Sequence, residues 1–144
     1  DDADWDRLLH SNLRAPFILS QKLASALRQQ QGSIINIVDV YAEKPLQNHT
    51  LYCMAKAGLA MMTRSLAREL GPDIRVNGVS PGPILWPEAG QMNQQEIQDA
   101  TALKRCGTPQ DIAQTVLWLG TQAPFVTGQI LAVDGGRSLS LQGS

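Results

Sequence analysis

The chain has 144 residues, 43% of them hydrophobic and 17% charged, which is the size and composition of one globular domain. Its net charge of -1 gives no electrostatic case for nucleic acid or an anionic membrane as a partner. No apolar run approaches the roughly 20 residues that span a bilayer, and the acidic start is unlike a secretory signal, so a soluble, intracellular protein is expected.

The first residues already read as the front of a helix, which suggests a chain that begins inside a domain. Asp2 or Asp4 can cap a helix that runs from near Trp5 to about Gln30, with Leu8, Leu9, Leu13, Phe17, Ile18, Leu23 and Leu27 as its apolar stripe. Pro16 removes one backbone donor and should bend or loosen the middle. Asn12 lies just before that disturbance, where its amide can bond a freed carbonyl or hold a water in a site. His10 and His49 are read as surface or turn residues, and Cys53 and Cys106 as reduced thiols, since no Cys/His cluster has metal-ligand spacing.

Gly32 ends the helix, and Ser33 to Val38 reads as a strand covered on both faces, as in a parallel sheet. Asp39 stands at its carboxyl end, where open α/β sheets bind ligands, although an Asp also caps turns there. After a loop over 40–50, Leu51 to Leu70 reads as one helix by propensity and by the spacing of Leu51, Ala55, Leu59, Met62 and Leu66. Tyr52 and Lys56 lie four apart on one of its faces. A nearby ammonium favours phenolate, so this spacing predicts a Tyr52 hydroxyl titrating below its ordinary value of about 10. A ring at a helix edge beside a solvated Lys is the plainer alternative.

Ile74 to Val79 reads as a second buried strand, leading into Ser80-Pro81-Gly82-Pro83, where the bare Gly82 would let a ligand come close. Residues 84–107 are the least regular, with a short helix expected around Gln94 to Leu103; Trp86 could stack on a planar ligand or pack the loop onto the body. Thr108-Pro109 starts a helix running to about Gln122, and Gly128 to Val133 reads as a third strand, closed by an Asp134-Gly135-Gly136 turn. Strands alternating with helices of this length predict an α/β fold with parallel strands.

Asn12, Tyr52-x-x-x-Lys56, Arg75-Val76-Asn77 leading into Pro81-Gly82, and Val133-Asp134-Gly135-Gly136 together resemble the short-chain dehydrogenase/reductase family over essentially the whole chain. The resemblance implies a Rossmann-like doubly wound parallel sheet, present here as its carboxyl-terminal half. The amino-terminal, phosphate-binding part of the domain would lie before Asp1, since no strand, Gly-rich turn and helix of the dinucleotide type occur in residues 1–144. Most of that family carries a Ser a little over a dozen residues before the Tyr. Here Asp39 stands 13 residues before Tyr52. With Asn36-Ile37-Val38-Asp39, Pro45-Leu46 and Tyr52-Cys53-Met54-Ala55-Lys56, this resembles the pteridine reductase branch.

By that resemblance Tyr52 would be the proton donor, Lys56 would lower its pKa and hold the nicotinamide ribose, Asp39 would be the second acid, and Asn12 would hold a water. Pro81, Gly82, Pro83 and Ile84 would line the nicotinamide, and Leu85 and Trp86 the substrate pocket. The Thr that many relatives place shortly after the Pro-Gly is not evident. The implied cofactor is NADPH, with NADH not excluded, the implied substrate a pterin or folate, and the implied assembly a cytoplasmic homo-tetramer built through the long helices. Two alternatives stand beside this: a carbonyl reductase of the same superfamily, and a catalytically incompetent half-domain that acts only in assembly.

Overall fold

The computed structural model describes residues 1–84 and 94–139. Helix α1 (Asp2–Leu9) starts one turn earlier than expected because Asp1 and Asp4 form a reciprocal capping box that satisfies the first free backbone donors. A π-helical turn over His10–Arg14 joins it to α2 (Ala15–Gln29). In a regular α-helix the Asn12 carbonyl would face the nitrogen of Pro16, which has no hydrogen to give; the wider π turn shifts the pairing by one residue. Pro16 therefore changes the register of one turn and does not end the helix.

Strand β1 (Ser33–Ile37) is followed by a short 3-10 turn at Val40–Ala42, inside the stretch expected to be loop. Helix α3 spans Thr50–Leu70 and strand β2 Arg75–Pro81. Helix α4 (Gln94–Ala100) stops three residues short of the expected end. There Thr101 donates to the Ile97 and Arg105 carbonyls and Leu103 N–H bonds Gly135 O. Helix α5 (Pro109–Thr121) begins on a capping box between Thr108 and Asp111, and strand β3 (Ile130–Val133) completes the set.

The strands form one parallel sheet in the order β1-β2-β3, with Ile37 opposite Val79 and Pro81 opposite Val133. Alternate residues serve opposite faces. Val79 and Ile35 pack with Ile112 and Leu119 of α5, while Val38 packs with Leu59 and Ala60, and Val76 with Ala67, on α3. Burial of each such aliphatic side chain contributes about 1.5–3 kcal/mol, so both helices are held to the sheet chiefly by apolar contact.

Polar groups add direction to that contact. The Arg75 guanidinium donates to the carbonyls of Leu119, Gly120 and Ala123 at 2.7, 2.9 and 3.0 Å, closing the carboxyl end of α5 onto β2. Asn77, fully buried, donates to Val126 O and accepts from Gln129 N–H, which fixes the approach to β3.

The ends of the stretch between β2 and α5 are tied to each other. Ile84 and Gly107 form a β-bridge, and Gly107 N–H and the Cys106 thiol both donate to Pro83 O. Apolar side chains remain exposed on two outer faces: Trp5, Phe17, Leu19 and Leu23 of α1 and α2, and Leu117, Trp118 and Leu131 of α5 and β3. No helix among the described residues is long and apolar enough to cross a membrane.

Candidate active site

Three of the candidate residues meet where β1 ends. Asp39 follows the strand in extended conformation, and its carboxylate is used twice: Oδ1 accepts from Tyr41 N–H at 3.0 Å and Oδ2 from the Tyr52 hydroxyl at 2.6 Å. The turn-capping and the site readings of Asp39 are therefore both realised, by different oxygens. The cap holds the carboxylate still while it faces the phenol.

Tyr52 and Lys56 share a face of α3 as their spacing requires. The Lys56 ammonium lies over the Tyr52 ring, 5.9 Å from its centre, and donates to the Ile37 carbonyl at 3.1 Å. The hydroxyl points away to Asp39. This corrects the expectation that Lys56 lowers the phenol's pKa. Burial pushes Tyr52 well above its ordinary value, and the hydrogen bond to the Asp39 carboxylate pushes the same way, because phenolate beside carboxylate is unfavourable. Burial also lowers the Lys56 pKa, opposed by the charge of Asp39.

Asn12 is brought against α3 by the π turn, where Gly58 leaves room for Leu13: a Cβ there would lie 3.0 Å from Leu13 Cδ1. Its amide donates to Leu8 O, one turn earlier on the same helical stretch, at 3.0 Å and to Ser11 Oγ at 3.3 Å. Among the described residues it makes no hydrogen bond to Tyr52 or Lys56.

Pro81 to Ile84 leave the carboxyl end of β2 beside this group. The Gly82 Cα is bare for an internal reason: a Cβ would come within 2.5 Å of the Asp134 Cβ and 2.6 Å of its Cα. The Gly135-Gly136 turn, both residues at positive φ, folds back through Asp134, whose oxygens accept from Gly136 and Ser138 N–H. The Ile84 side chain is buried in the α5-side core, which leaves its backbone as the part open to a ligand. Leu85 and Trp86 lie outside the described residues.

A small cavity of about 120 Å³ is lined by Asp39, Val40, Glu43, Lys44, Ser80, Ile130, Ala132 and Ser138. Ser80 and Ser138 were not anticipated as site residues; the position of Ser80 at the carboxyl end of a strand, one residue before Pro81, was the available signal. A larger cleft of about 670 Å³ beside Trp118, Leu131 and Arg105 includes Pro83 but none of Asp39, Tyr52 and Lys56.

The arrangement can move a proton. A phenol held protonated, a fixed carboxylate on its oxygen and a half-buried ammonium alongside are the groups of a general acid with its relay. The ammonium spends one of its three donors on Ile37 O, so the remaining donors fit a ligand with vicinal hydroxyls such as a ribose.

Residues 1–138 match the protein family described as enoyl-(acyl carrier protein) reductase. The chain is 35% identical over 141 residues to the 3-oxoacyl-[acyl-carrier-protein] reductase FabG of Thermotoga maritima, covering 94% of this chain and 57% of that protein. It is 37% identical over 144 residues to pteridine reductase 1 of Leishmania tarentolae, covering 92% of this chain and 50% of that protein. A solved variant of a Serratia marcescens short-chain dehydrogenase/reductase superposes with a TM-score of 0.83 at 38% identity, over 94% of this chain and 57% of that one. The chain thus spans 50 to 57% of the length of these relatives. Parallel sheet, motif order and these similarities agree, and the chain belongs to the short-chain dehydrogenase/reductase family.

Proposed function

We propose that this chain, together with an amino-terminal segment of the kind its longer relatives carry, is a cytoplasmic, NADPH-dependent reductase of pterins of the dihydropterin or dihydrofolate type. The observation that carries the reading is the 2.6 Å hydrogen bond from Tyr52 to Asp39, a carboxylate at the position where a Ser is usual in this family. A carboxyl group can donate or relay a proton to a heterocyclic nitrogen, whereas a hydroxyl chiefly bonds a carbonyl oxygen. The similarity to a protein named pteridine reductase 1 supports it, and the free thiols of Cys53 and Cys106 agree with a reducing compartment.

A bound nicotinamide would supply the hydride, held by Tyr52, Lys56 and the backbone from Pro81 to Ile84. Tyr52 donates the proton at its hydroxyl oxygen, and Lys56, with two donors left over from its bond to Ile37 O, holds the ribose hydroxyls. Asp39 orients the ring and, bonded to the Tyr52 hydroxyl, relays that one proton toward the ring nitrogen, which with the hydride completes the reduction of one C=N bond. Leu85 and Trp86 edge the substrate. Asn12, with its amide committed to Leu8 O, offers its carbonyl oxygen to a water. Four copies assemble through the exposed apolar faces of α1, α2, α5 and β3; a monomer in sedimentation velocity at micromolar concentration rejects that part.

The test is dihydropterin-dependent NADPH oxidation by the protein carrying its amino-terminal segment. Tyr52→Phe should lower turnover by about a hundredfold or more; an unaffected rate sinks the mechanism. A second reading, a carbonyl reductase acting on ketones or acyl carriers, is favoured by the 35% identity to a 3-oxoacyl reductase. Preference for a small ketone or a 3-oxoacyl thioester over dihydropterin would select it.

A further inference from the structure

Asp39 follows directly on strand β1, and helix α3 carries Tyr52 and Lys56, so the geometry of these three groups depends on how far along the strand the helix sits. Three side-chain hydrogen bonds cross between them. From the carboxyl end of the strand backwards, Asp39 is bonded by Tyr52, the Ile37 carbonyl by Lys56, and Asn36 bonds Thr63. The order along the helix is the reverse, as two antiparallel elements require.

The third bond differs in kind from the other two. Thr63 is 0% exposed and Asn36 7%, and Asn36 Nδ2 donates to Thr63 Oγ1 at 2.9 Å. The Thr63 hydroxyl gives its own proton to Leu59 O at 2.9 Å, so its lone pairs have one orientation and meet Asn36 in one place. Val38, Leu59 and Ala60 pack together between this strand end and the helix, and apolar contact is less directional than a hydrogen bond. Asn36 interrupts an otherwise apolar run, Ile34-Ile35-Asn36-Ile37-Val38, at the point facing the helix.

We propose that the Asn36–Thr63 hydrogen bond fixes the axial position of α3 on β1 and thereby aligns Tyr52 and Lys56 with Asp39. Both are positioning residues, and the proposal rests on reading Asp39, Tyr52 and Lys56 as the reacting groups. An α-helix advances about 1.5 Å per residue, so a slip of one residue moves the Tyr52 hydroxyl far enough to break its 2.6 Å bond to Asp39. The two bonds nearer the site are only partly shielded from water, and Tyr52 must release Asp39 whenever its hydroxyl turns to a substrate. The buried bond stays made throughout.

The test separates alignment from simple polar pairing. Thr63→Val leaves the Asn36 amide buried without its partner, whereas Asn36→Leu with Thr63→Val removes both polar groups and can restore stability. All variants are made in the protein carrying its amino-terminal segment and assayed on whichever of dihydropterin or ketone it reduces. The double variant should regain a near-native Tm yet keep kcat about tenfold or more below wild type, with KM values within about twofold. Its pH profile should shift on the alkaline side, and Thr63→Ser, which keeps the hydroxyl, should restore both.

Recovery of kcat and pH profile together with Tm in the double variant overturns the proposal. If the double variant does not fold, kcat per folded molecule of Thr63→Val decides: a drop of about tenfold supports alignment, and a wild-type value overturns it. Tyr52→Phe runs in parallel. If it keeps full turnover, the reading of the site fails and the inference falls with it; if it is inactive while the double variant matches wild type, the inference alone fails.

Discussion

Replacing Asp39 by Asn tests whether this carboxylate holds Tyr52 protonated. Oδ2 accepts from the phenol at 2.6 Å and Oδ1 from Tyr41 N–H at 3.0 Å. Asn keeps one oxygen for the backbone and presents an amide donor to the phenol, so the charged acceptor is lost. A hydrogen bond to a charged group contributes about 1.5–3 kcal/mol, against about 0.5–1.5 for a neutral pair. Tyr52 is only partly buried, so solvent screening reduces the difference to roughly 0.5–1 kcal/mol. That corresponds to a fall of about 0.4 to 0.7 of a unit in the Tyr52 titration midpoint.

The folded protein raises the Tyr52 pKa above its unfolded value of about 10, so the associated stability is complete below that pH and is lost as pH climbs through the folded value. In Asp39→Asn the loss should still begin near pH ~10, which the unfolded chain sets, but end at a lower pH and be smaller in total. The assay is an NMR titration of the Tyr52 ring carbon bearing the hydroxyl, assigned by Tyr52→Phe, with urea unfolding at neutral and alkaline pH beside it. An unchanged midpoint in Asp39→Asn would refute the argument and leave burial as the whole cause.

Two further outcomes are expected. Arg75→Met removes three donors from the last carbonyls of α5 and should cost about 2–3 kcal/mol in urea unfolding, with faster amide exchange in that helix; a loss below about 0.5 kcal/mol would contradict the capping role. Gly82→Ala places a Cβ on the Asp134 backbone and should cost about 1–3 kcal/mol by overpacking, and an unchanged Tm would show that the approach is looser than 2.5 Å.

What the sequence carried follows from how local each signal is. Helix α3, the strands and the Thr108-Pro109 start were legible because propensity, period and capping act within a few residues. The π turn was half legible: Pro16 announced a disturbance, but whether it bends the helix or re-registers one turn depends on the packing of Leu13 against Gly58. Tyr52 and Lys56 could be placed on one face by spacing alone. The direction of the phenol could not, because its partner arrives from another element, and inferring its pKa from the lysine nearest in sequence gave the wrong sign. Asn36 and Asn77 were visible as polar residues inside apolar strands, yet their partners, Thr63 and the backbone at Val126 and Gln129, are 27 to 52 positions away.

The bridge between Ile84 and Gly107, with Pro83 O shared by Gly107 and Cys106, makes residues 85 to 106 a cassette clamped at its mouth. The entropy of closing that loop is met by the clamp and the sheet beneath it, and each doubling of its length would add only about 0.6 kcal/mol. The α4 side of the stretch has ties of its own, Leu103 N–H to Gly135 O and Arg105 to Asp111, with Ile97 and Thr101 buried. A graft from a relative that keeps Leu103 to Gly107 would leave these ties in place, and whether it moves substrate preference tests the substrate role proposed for Leu85 and Trp86.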